Sequence, residues 1–352
     1  MRIIISSAGR RVYLVEWFQQ ALRDADIAGD VYVLDCDPGA AAAAAADGYR
    51  QMPAITSPQY SQRLFEVVDE LQPELFLSLN DHELTVLSQG LSEQLRDRGI
   101  VVPVLDATAH NVVADKLSMY QVLTAAGIAT PETALVSEVA AVQRLIHRAP
   151  RVIVKDRWGS GSSGLLRLKR DEARRWVTQQ YTSTDRQRKR TDELIIQPDL
   201  GGTEYGLDIV TPVRGGAVAG LLARRKLAMR HGETCSAMTV DNSAFEDVAI
   251  TLNATLGIHG TIDVDVMVTD DGRAHVIDIN PRFGGGYPFS HLAGADVPHF
   301  FVASTLGLVP RPGWNTYRHD FRGAKHEGII GFDAELNVSQ HFEHEPVLRH
   351  VS

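Results

Sequence analysis

The chain has 352 residues, 44% hydrophobic and 22% charged, with a formal net charge of −9. That length can bury a sizeable core and suggests two or three domains, while the charge leaves no basic footprint, so a nucleic-acid partner is disfavoured. Cys36 and Cys235 make no framework or CxxC pair, the opening Met1-Arg2-Ile3-Ile4-Ile5 reads as a strand and not a signal peptide, and no apolar run reaches spanning length. A cytoplasmic protein without a membrane partner is expected.

In chain order, strand and helix alternate over residues 1 to about 110. Arg2–Ser6 reads as a strand, Val12–Arg23 as an amphipathic helix, Val31–Asp35 as a strand, Ser61–Leu71 as a helix and Leu75–Leu79 as a strand. A helix over Glu83–Arg98 and a short strand at Val101-Val102 follow, giving a parallel, doubly wound sheet. The alanine run Ala40–Ala46 reads as a surface turn or short helix. A glycine turn with Asp35 after the second strand invites a nicotinamide reading, but the loop has one glycine where that motif needs three. Strand ends carry sites in such sheets, which singles out Gly9-Arg10-Arg11 as an anion site and Asn80-Asp81-His82-Glu83 as a substrate-amine site. Helix capping explains Asp81 and Glu83 about equally well.

Asp115-Lys116 opens a helix running to Ala126 with Gly127 beyond it, and Ser137–His147 is a further helix. The strand Arg151–Lys155 then delivers Lys155 into Trp158-Gly159-Ser160-Gly161-Ser162-Ser163-Gly164. Three glycines and three serines after a strand ending in lysine suit a closing loop whose amides wrap phosphate oxygens. A plain hairpin loop is the alternative. Asp171–Tyr181 reads as a helix, Thr182–Thr191 as a surface connection, Leu194–Gln197, Glu204–Val210 and Ala217–Arg225 as strands, and Phe245–Leu256 as a helix ended by Gly257.

Two β-branched, alternating segments follow, Thr261–Val268 and Val276–Arg282, with Asp271-Gly272 between them as a hairpin turn. In that register Asp265 faces Asp278 and Asp263 faces Asn280, all four on one face. Like charges directly opposed lie about 4.5–5.5 Å apart at Cβ and destabilise a sheet. A divalent cation removes the objection, and oxygen-only ligands point to magnesium shared with phosphates; a solvated edge hairpin is the alternative. Phe283-Gly284-Gly285-Gly286-Tyr287-Pro288 reads as another flexible, anion-friendly loop, and His291–Leu306 as helix-rich. In the tail, His341, His344 and His350 could chelate a metal, though a solvated tail explains them more simply.

Taken in this order and spacing, the motifs resemble the ATP-grasp superfamily, in its branch near the carbamoyl-phosphate synthetase large subunit and the amino-acid ligases. The resemblance implies an α/β and α+β chain. A Rossmann-like pre-ATP-grasp domain would span 1–112, a small lobe with the glycine-rich flap 113–198, a large lobe with the metal site 199–310 and an extension 311–352. Lys116 and Lys155 would bind nucleotide phosphates under the flap Gly159–Gly164. Gln197, Pro198 and Asp199 would lie at the adenine, Glu204 on the ribose hydroxyls and His231 near the phosphates. Asp265, Asp278 and Asn280 would be metal ligands, and Arg282 would steady the transferred phosphoryl group, making Arg282, Lys155 and Asn280 the catalytic set. The superfamily more often has glutamate at 265 and 278.

ATP and Mg2+ (Mn2+ possible) are the implied cofactors, and a carboxylate and an amine the partners, in a possible homodimer formed through the N-terminal sheet. The implied reaction is ADP-forming carboxylate–amine ligation through an acyl phosphate. Formation of a carboxyphosphate or carbamoyl phosphate, and a non-catalytic nucleotide binder, stand as alternatives. Arg10, Arg11, Asp81, Glu83, Arg224, Lys226 and Tyr287 are candidates to line the substrate pocket.

Overall fold

The computed structural model describes residues 1–159, 164–182, 191–230, 232–332 and 338–341. Strand β1 (Arg2–Ser6) leads through helix α1 (Val12–Asp24) to β2 (Asp30–Asp35), the short α2 (Ala41–Ala45) and β3 (Gly48–Gln51), then through α3 (Tyr60–Leu71) to β4 (Leu75–Ser78). These four strands form one parallel sheet in the order β3-β2-β1-β4. The run Ile3-Ile4-Ile5 explains it: a parallel strand is covered on both faces. Ile3 and Ile5 enter one core with Phe18 and Phe301, while Ile4 enters the other with Leu64 and Phe76.

The expected helix over Glu83–Arg98 is broken. Helix α4 (Asp81–Val86) and α5 (Ser92–Arg96) flank a segment in which Gly90 takes φ 110°, a conformation open to glycine. Val101 contributes a single bridge to Leu75 and no full strand. Helix α6 (Ala107–Ala114), absent from the sequence reading, is capped by the Asp106 carboxylate, which accepts from Ala109 N at 2.8 Å. Helix α7 (Lys116–Ala125) follows.

The next sheet is antiparallel and four-stranded: β5 (Ala134–Leu135), β8 (Leu194–Pro198), β6 (Arg151–Asp156) and β7 (Leu166–Lys169), in that order. Helices α8 (Val139–Arg148) and α9 (Arg170–Thr182) cover it, with a core of Val142, Leu145, Val152, Val154 and Ile196. The connection read over Thr182–Thr191 falls largely on residues 183–190, outside the described residues.

The largest sheet has six strands. In order they are β13 (Ala274–Asn280), β12 (Thr261–Val268), β9 (Thr203–Val210), β10 (Gly220–Arg230), β11 (Glu233–Val240) and β14 (Arg322–Ala324). β10 begins and ends later than expected, because the chain turns at Arg230–Glu233 into β11, a strand absent from the sequence reading. Helices α6, α7 and α10 (Glu246–Leu256) pack on one face of this sheet. Helices α11 (Tyr287–Ala293) and α12 (Val297–Leu306) join it to the N-terminal sheet, and Phe301 shares a core with Phe18 of α1. A two-stranded ribbon, β15 (Ile330–Phe332) and β16 (Val338–His341), ends the described chain; His344 and His350 lie outside it. Among the described residues no helix is long and apolar enough to cross a membrane.

The β12–β13 hairpin reaches the expected pairing by another route. Its loop spans residues 269–273, closed by Thr269 N to Arg273 O (3.1 Å), and is longer than a two-residue turn. A register shift between Asp265 and Val266 then leaves Ile277 as an extra residue. The two offsets compensate, so Asp265 pairs with Asp278 and Asp263 with Asn280.

Candidate functional site

One cavity of about 2000 Å³ opens between the three main sheets. Single-ligand pockets run to roughly 1,000 Å³, so this one has room for more than one molecule. Lys116, Lys155, Gly159, Gln197, Pro198, Glu204, Asp265, Asp278, Asn280 and Arg282 all line it. Residues more than a hundred positions apart, to which the resemblance assigns one nucleotide site, therefore line one cavity.

Lys116 ties the small sheet to the hairpin. Its Nζ donates to the Gly159 carbonyl at 2.5 Å and lies 3.4 Å from Asp278 Oδ1. Asp115 fixes that geometry from the helix start: it accepts from Leu117 N at 3.0 Å and forks with Arg157 at 2.7 and 2.6 Å. This clamp on Arg157, two residues before Gly159, was not legible in the sequence. Lys155, by contrast, has no carboxylate within ion-pair distance among the described residues, although Asp278, Asp265 and Glu204 favour its charge from farther away. Burial outweighs them and lowers its pKa.

The acids of the hairpin are not bare. Lys226 Nζ sits 2.6 Å from Asp265 and 2.7 Å from Glu204. Burial opposes its charge, but those two carboxylates hold the ammonium above its usual value. Below it Arg224, 1% exposed, pairs with Asp208 and donates to Asp263 at 2.7 Å. The expectation that a divalent cation relieves these opposed carboxylates is therefore incomplete: cations from β10 and α7 already lie against them. Desolvation, reinforced by Asp263 and Asp278, still pushes Asp265 up to about 7 against the pull of Lys226.

The donor set fits a magnesium ion. Asp265, Asp278 and Asn280 offer hard oxygen atoms on one face of one hairpin, and magnesium usually takes one or two carboxylates with phosphate oxygens completing the shell. An ion there would compete with Lys226 and Lys116 for the same oxygens. Among the described residues no three His, Cys, Asp or Glu side chains already form a metal cage.

Other predicted residues sit as follows. Gln197 is buried and donates from Nε2 to Thr133 Oγ1 at 2.8 Å, leaving its carbonyl oxygen as the acceptor. Asp199 turns to Arg151 at 3.6 Å and does not line the cavity. Gly164 takes φ 70° over Asp156. Ser160, Gly161, Ser162, Ser163 and His231 lie outside the described residues. Arg282 forks onto Asp81, Nε to Oδ1 at 2.7 Å and Nη2 to Oδ2 at 2.9 Å, joining the hairpin to the start of α4.

Three pocket candidates do not line it. Glu83 is fully buried, accepting from Ser6, Ser7, Ser78 and Tyr60, and Arg224 lies beneath the floor. Tyr287 is buried too, its hydroxyl accepting from Val297 N at 2.9 Å. The loop Phe283–Pro288 is correspondingly packed, not flexible. A Cβ on Gly284 would meet the Asp263 carboxylate, and one on Gly286 the Arg224 guanidinium. Asp35 is also used locally, accepting from Gly9 N at 3.1 Å. Residues the sequence reading missed are Asp208, whose signal was an acid at an inward position of β9, and Lys325 after β14, which pairs with Glu233 at 3.0 Å.

Comparison with known proteins follows the same outline. Residues 3–103 match the family model described as PylC-like, N-terminal domain. Residues 106–197 match the YheC/D-like ATP-grasp model, and 190–328 the model of ATP-grasp in the biosynthetic pathway with Ter operon. No curated protein matches the chain. Among solved structures, the biotin carboxylase domain of Hydrogenobacter thermophilus 2-oxoglutarate carboxylase, in complex with MgADP, ADP and bicarbonate, superposes with a TM-score of 0.68 at 13% identity, covering 90% of this chain and 72% of that one. The N5-carboxyaminoimidazole synthetase of Staphylococcus aureus complexed with ADP gives 0.65 at 15%, covering 88% and 78%. Biotin carboxylase of Campylobacter jejuni gives 0.68 at 16%, covering 90% and 73%. These likenesses show a shared fold. Matched from residue 3 to residue 328 by three family models, two of them ATP-grasp, the chain belongs to the ATP-grasp superfamily.

Proposed function

We propose that the protein is an ATP-dependent carboxylate–amine ligase that releases ADP and phosphate. The observation that carries this reading is the Lys155 ammonium, half-buried on the cavity wall with no carboxylate in pairing distance among the described residues, beside carboxylates that can hold a divalent ion. Such a cation calls for an anion, and a triphosphate satisfies it together with Lys116.

A carboxylate is a poor electrophile because it would have to expel oxide. Transfer of the γ-phosphoryl group to a carboxylate oxygen breaks the bond to ADP and gives an acyl phosphate. An amine then attacks the acyl carbon, phosphate leaves, and the amine gives up a proton. The protein's part is positioning and charge neutralisation. Lys116 and Lys155 hold the phosphate oxygens, Gln197 and Pro198 border the base, and Glu204 meets the ribose hydroxyls. Asp265, Asp278 and Asn280 would hold the magnesium, which would supply charge neutralisation to the phosphates. Arg282, held by Asp81 through Nε and Nη2 while Nη1 donates to the Phe283 carbonyl oxygen, lines the cavity as a fixed positive charge for the transferred phosphoryl group.

The neighbour crystallised with bicarbonate supports a second reading, in which bicarbonate is the acid phosphorylated. One assay separates these. ADP, and not AMP, is expected to accumulate only when an organic acid and an amine are both added. ADP release stimulated by bicarbonate alone would select the second reading. Thermal stabilisation by ATP without ADP across a broad acid and amine panel would leave a nucleotide-binding protein without turnover.

A further inference from the structure

The cavity also takes in the first β–α loop and helix α1, and there two guanidiniums converge on one atom. Arg11 donates from Nη1 to the Phe283 carbonyl oxygen at 2.6 Å, and Arg282 donates from its own Nη1 to the same oxygen at 3.3 Å. Two cations around one neutral acceptor repel unless anions accompany them. Arg282 has its anion in Asp81. Arg11 has no carboxylate within ion-pair distance among the described residues, Glu233 and Asp263 favouring its charge only from farther away, and the Phe283 carbonyl is its one side-chain hydrogen-bond partner there. Burial lowers its pKa, yet an arginine stays charged. Arg11 lines the cavity, and its Nε and Nη2 make no hydrogen bond among the described residues.

The wall beside Arg11 carries aromatic and aliphatic surface, with Glu16 the acid among its α1 residues. Tyr13 and Trp17, four residues apart on α1, line the cavity with ring centroids 4.9 Å apart. Trp17 stacks on His291 of α11 at 3.7 Å, which sets Pro288 and the 58%-exposed Leu292 along the same opening.

We propose that this is where the acid to be phosphorylated binds, its carboxylate held between Arg11 and Arg282 and an apolar body of several carbons covered by Tyr13, Trp17 and Leu292. The inference rests on the ligase reading and names its acid: an organic carboxylate with an apolar body, and neither bicarbonate nor a one- or two-carbon acid. A guanidinium fork matches a carboxylate in two hydrogen bonds. Each methylene buried on the aromatic wall adds about fourfold in affinity, which the small acids cannot gain.

The test is calorimetric titration of the full chain, loaded with Mg2+ and a non-hydrolysable ATP analogue, with 3-phenylpropionate, acetate and bicarbonate. 3-Phenylpropionate is expected to bind at least about tenfold tighter than the other two. Arg11→Gln should weaken it by about tenfold or more, Arg11→Lys should fall between, and Trp17→Ala should erase its advantage over acetate. Analogue affinity measured in the same variants should stay within about twofold, which shows that they fold. The inference is overturned if acetate or bicarbonate binds as tightly as 3-phenylpropionate, if Arg11→Gln binds it unchanged, or if a chain holding the analogue takes none of the acids. Failure of the wild type to bind the analogue would contradict the ligase reading instead. The acids titrated alone would then decide this inference by the same order of affinities.

Discussion

Replacing Arg224 by methionine is expected to lower folding stability by about 3–5 kcal/mol. Arg224 is 1% exposed and lies between Asp208, itself almost fully buried, and Asp263, so its loss leaves two carboxylates facing each other without a cation. Shortening a buried pair in this way costs far more than removing a surface bridge. The loss should depend on pH. Burial already pushes Asp208 up to about 6 despite the guanidinium, above the unfolded value of about 3.9. A raised folded value means that the native state binds the proton more tightly, so that contribution is full below about pH 4 and is lost as pH rises through the folded value. Without Arg224 the folded value rises further. The deficit should therefore be largest above neutrality and shrink toward pH 4. Urea unfolding near pH 4 and near pH 8 measures it; an equal loss at both, or one below about 1 kcal/mol, would mean the triad does not hold the floor of the site.

Asp278→Ala is expected to reduce acid- and amine-dependent ADP release by about 10³-fold or more. A divalent ion contributes several kcal/mol of charge stabilisation at a transferring phosphoryl group, and each 1.4 kcal/mol is a factor of ten in rate. The substitution also frees Lys116, whose ammonium lies 3.4 Å from Asp278, so nucleotide affinity should fall less than turnover. Initial rates together with analogue binding separate the two effects. Turnover near the wild-type rate would remove Asp278 from the chemistry.

Much of the arrangement was legible because its signals are local. Ile3-Ile4-Ile5 is a β-branched run of strand length, and the acids of Thr261–Val268 and Val276–Arg282 revealed their shared face through period-2 alternation. Strand β11 was not legible: Glu233–Val240 is dominated by Thr, Ser and Ala, and becomes a strand by pairing with β10 and β14. Helix α6 did carry a capping signal in Asp106, unread because its apolar pattern is weak. What sequence could not supply was charge pairing across the fold. Arg282 and Asp81 stand 201 positions apart, and Lys226 reaches Glu204 and Asp265 from a separate strand. Those contacts decide which cations are ion-paired within the protein and which, like Lys155 and Arg11, have no carboxylate in pairing distance among the described residues.

The most direct measurement is a crystal structure with Mg2+ and a non-hydrolysable ATP analogue. The account predicts the triphosphate within hydrogen-bond distance of Lys155 Nζ, with a divalent ion bridging its β- and γ-oxygens to Asp265 and Asp278. A nucleotide bound elsewhere, or one whose phosphates leave Lys155 and the hairpin carboxylates untouched, would contradict it.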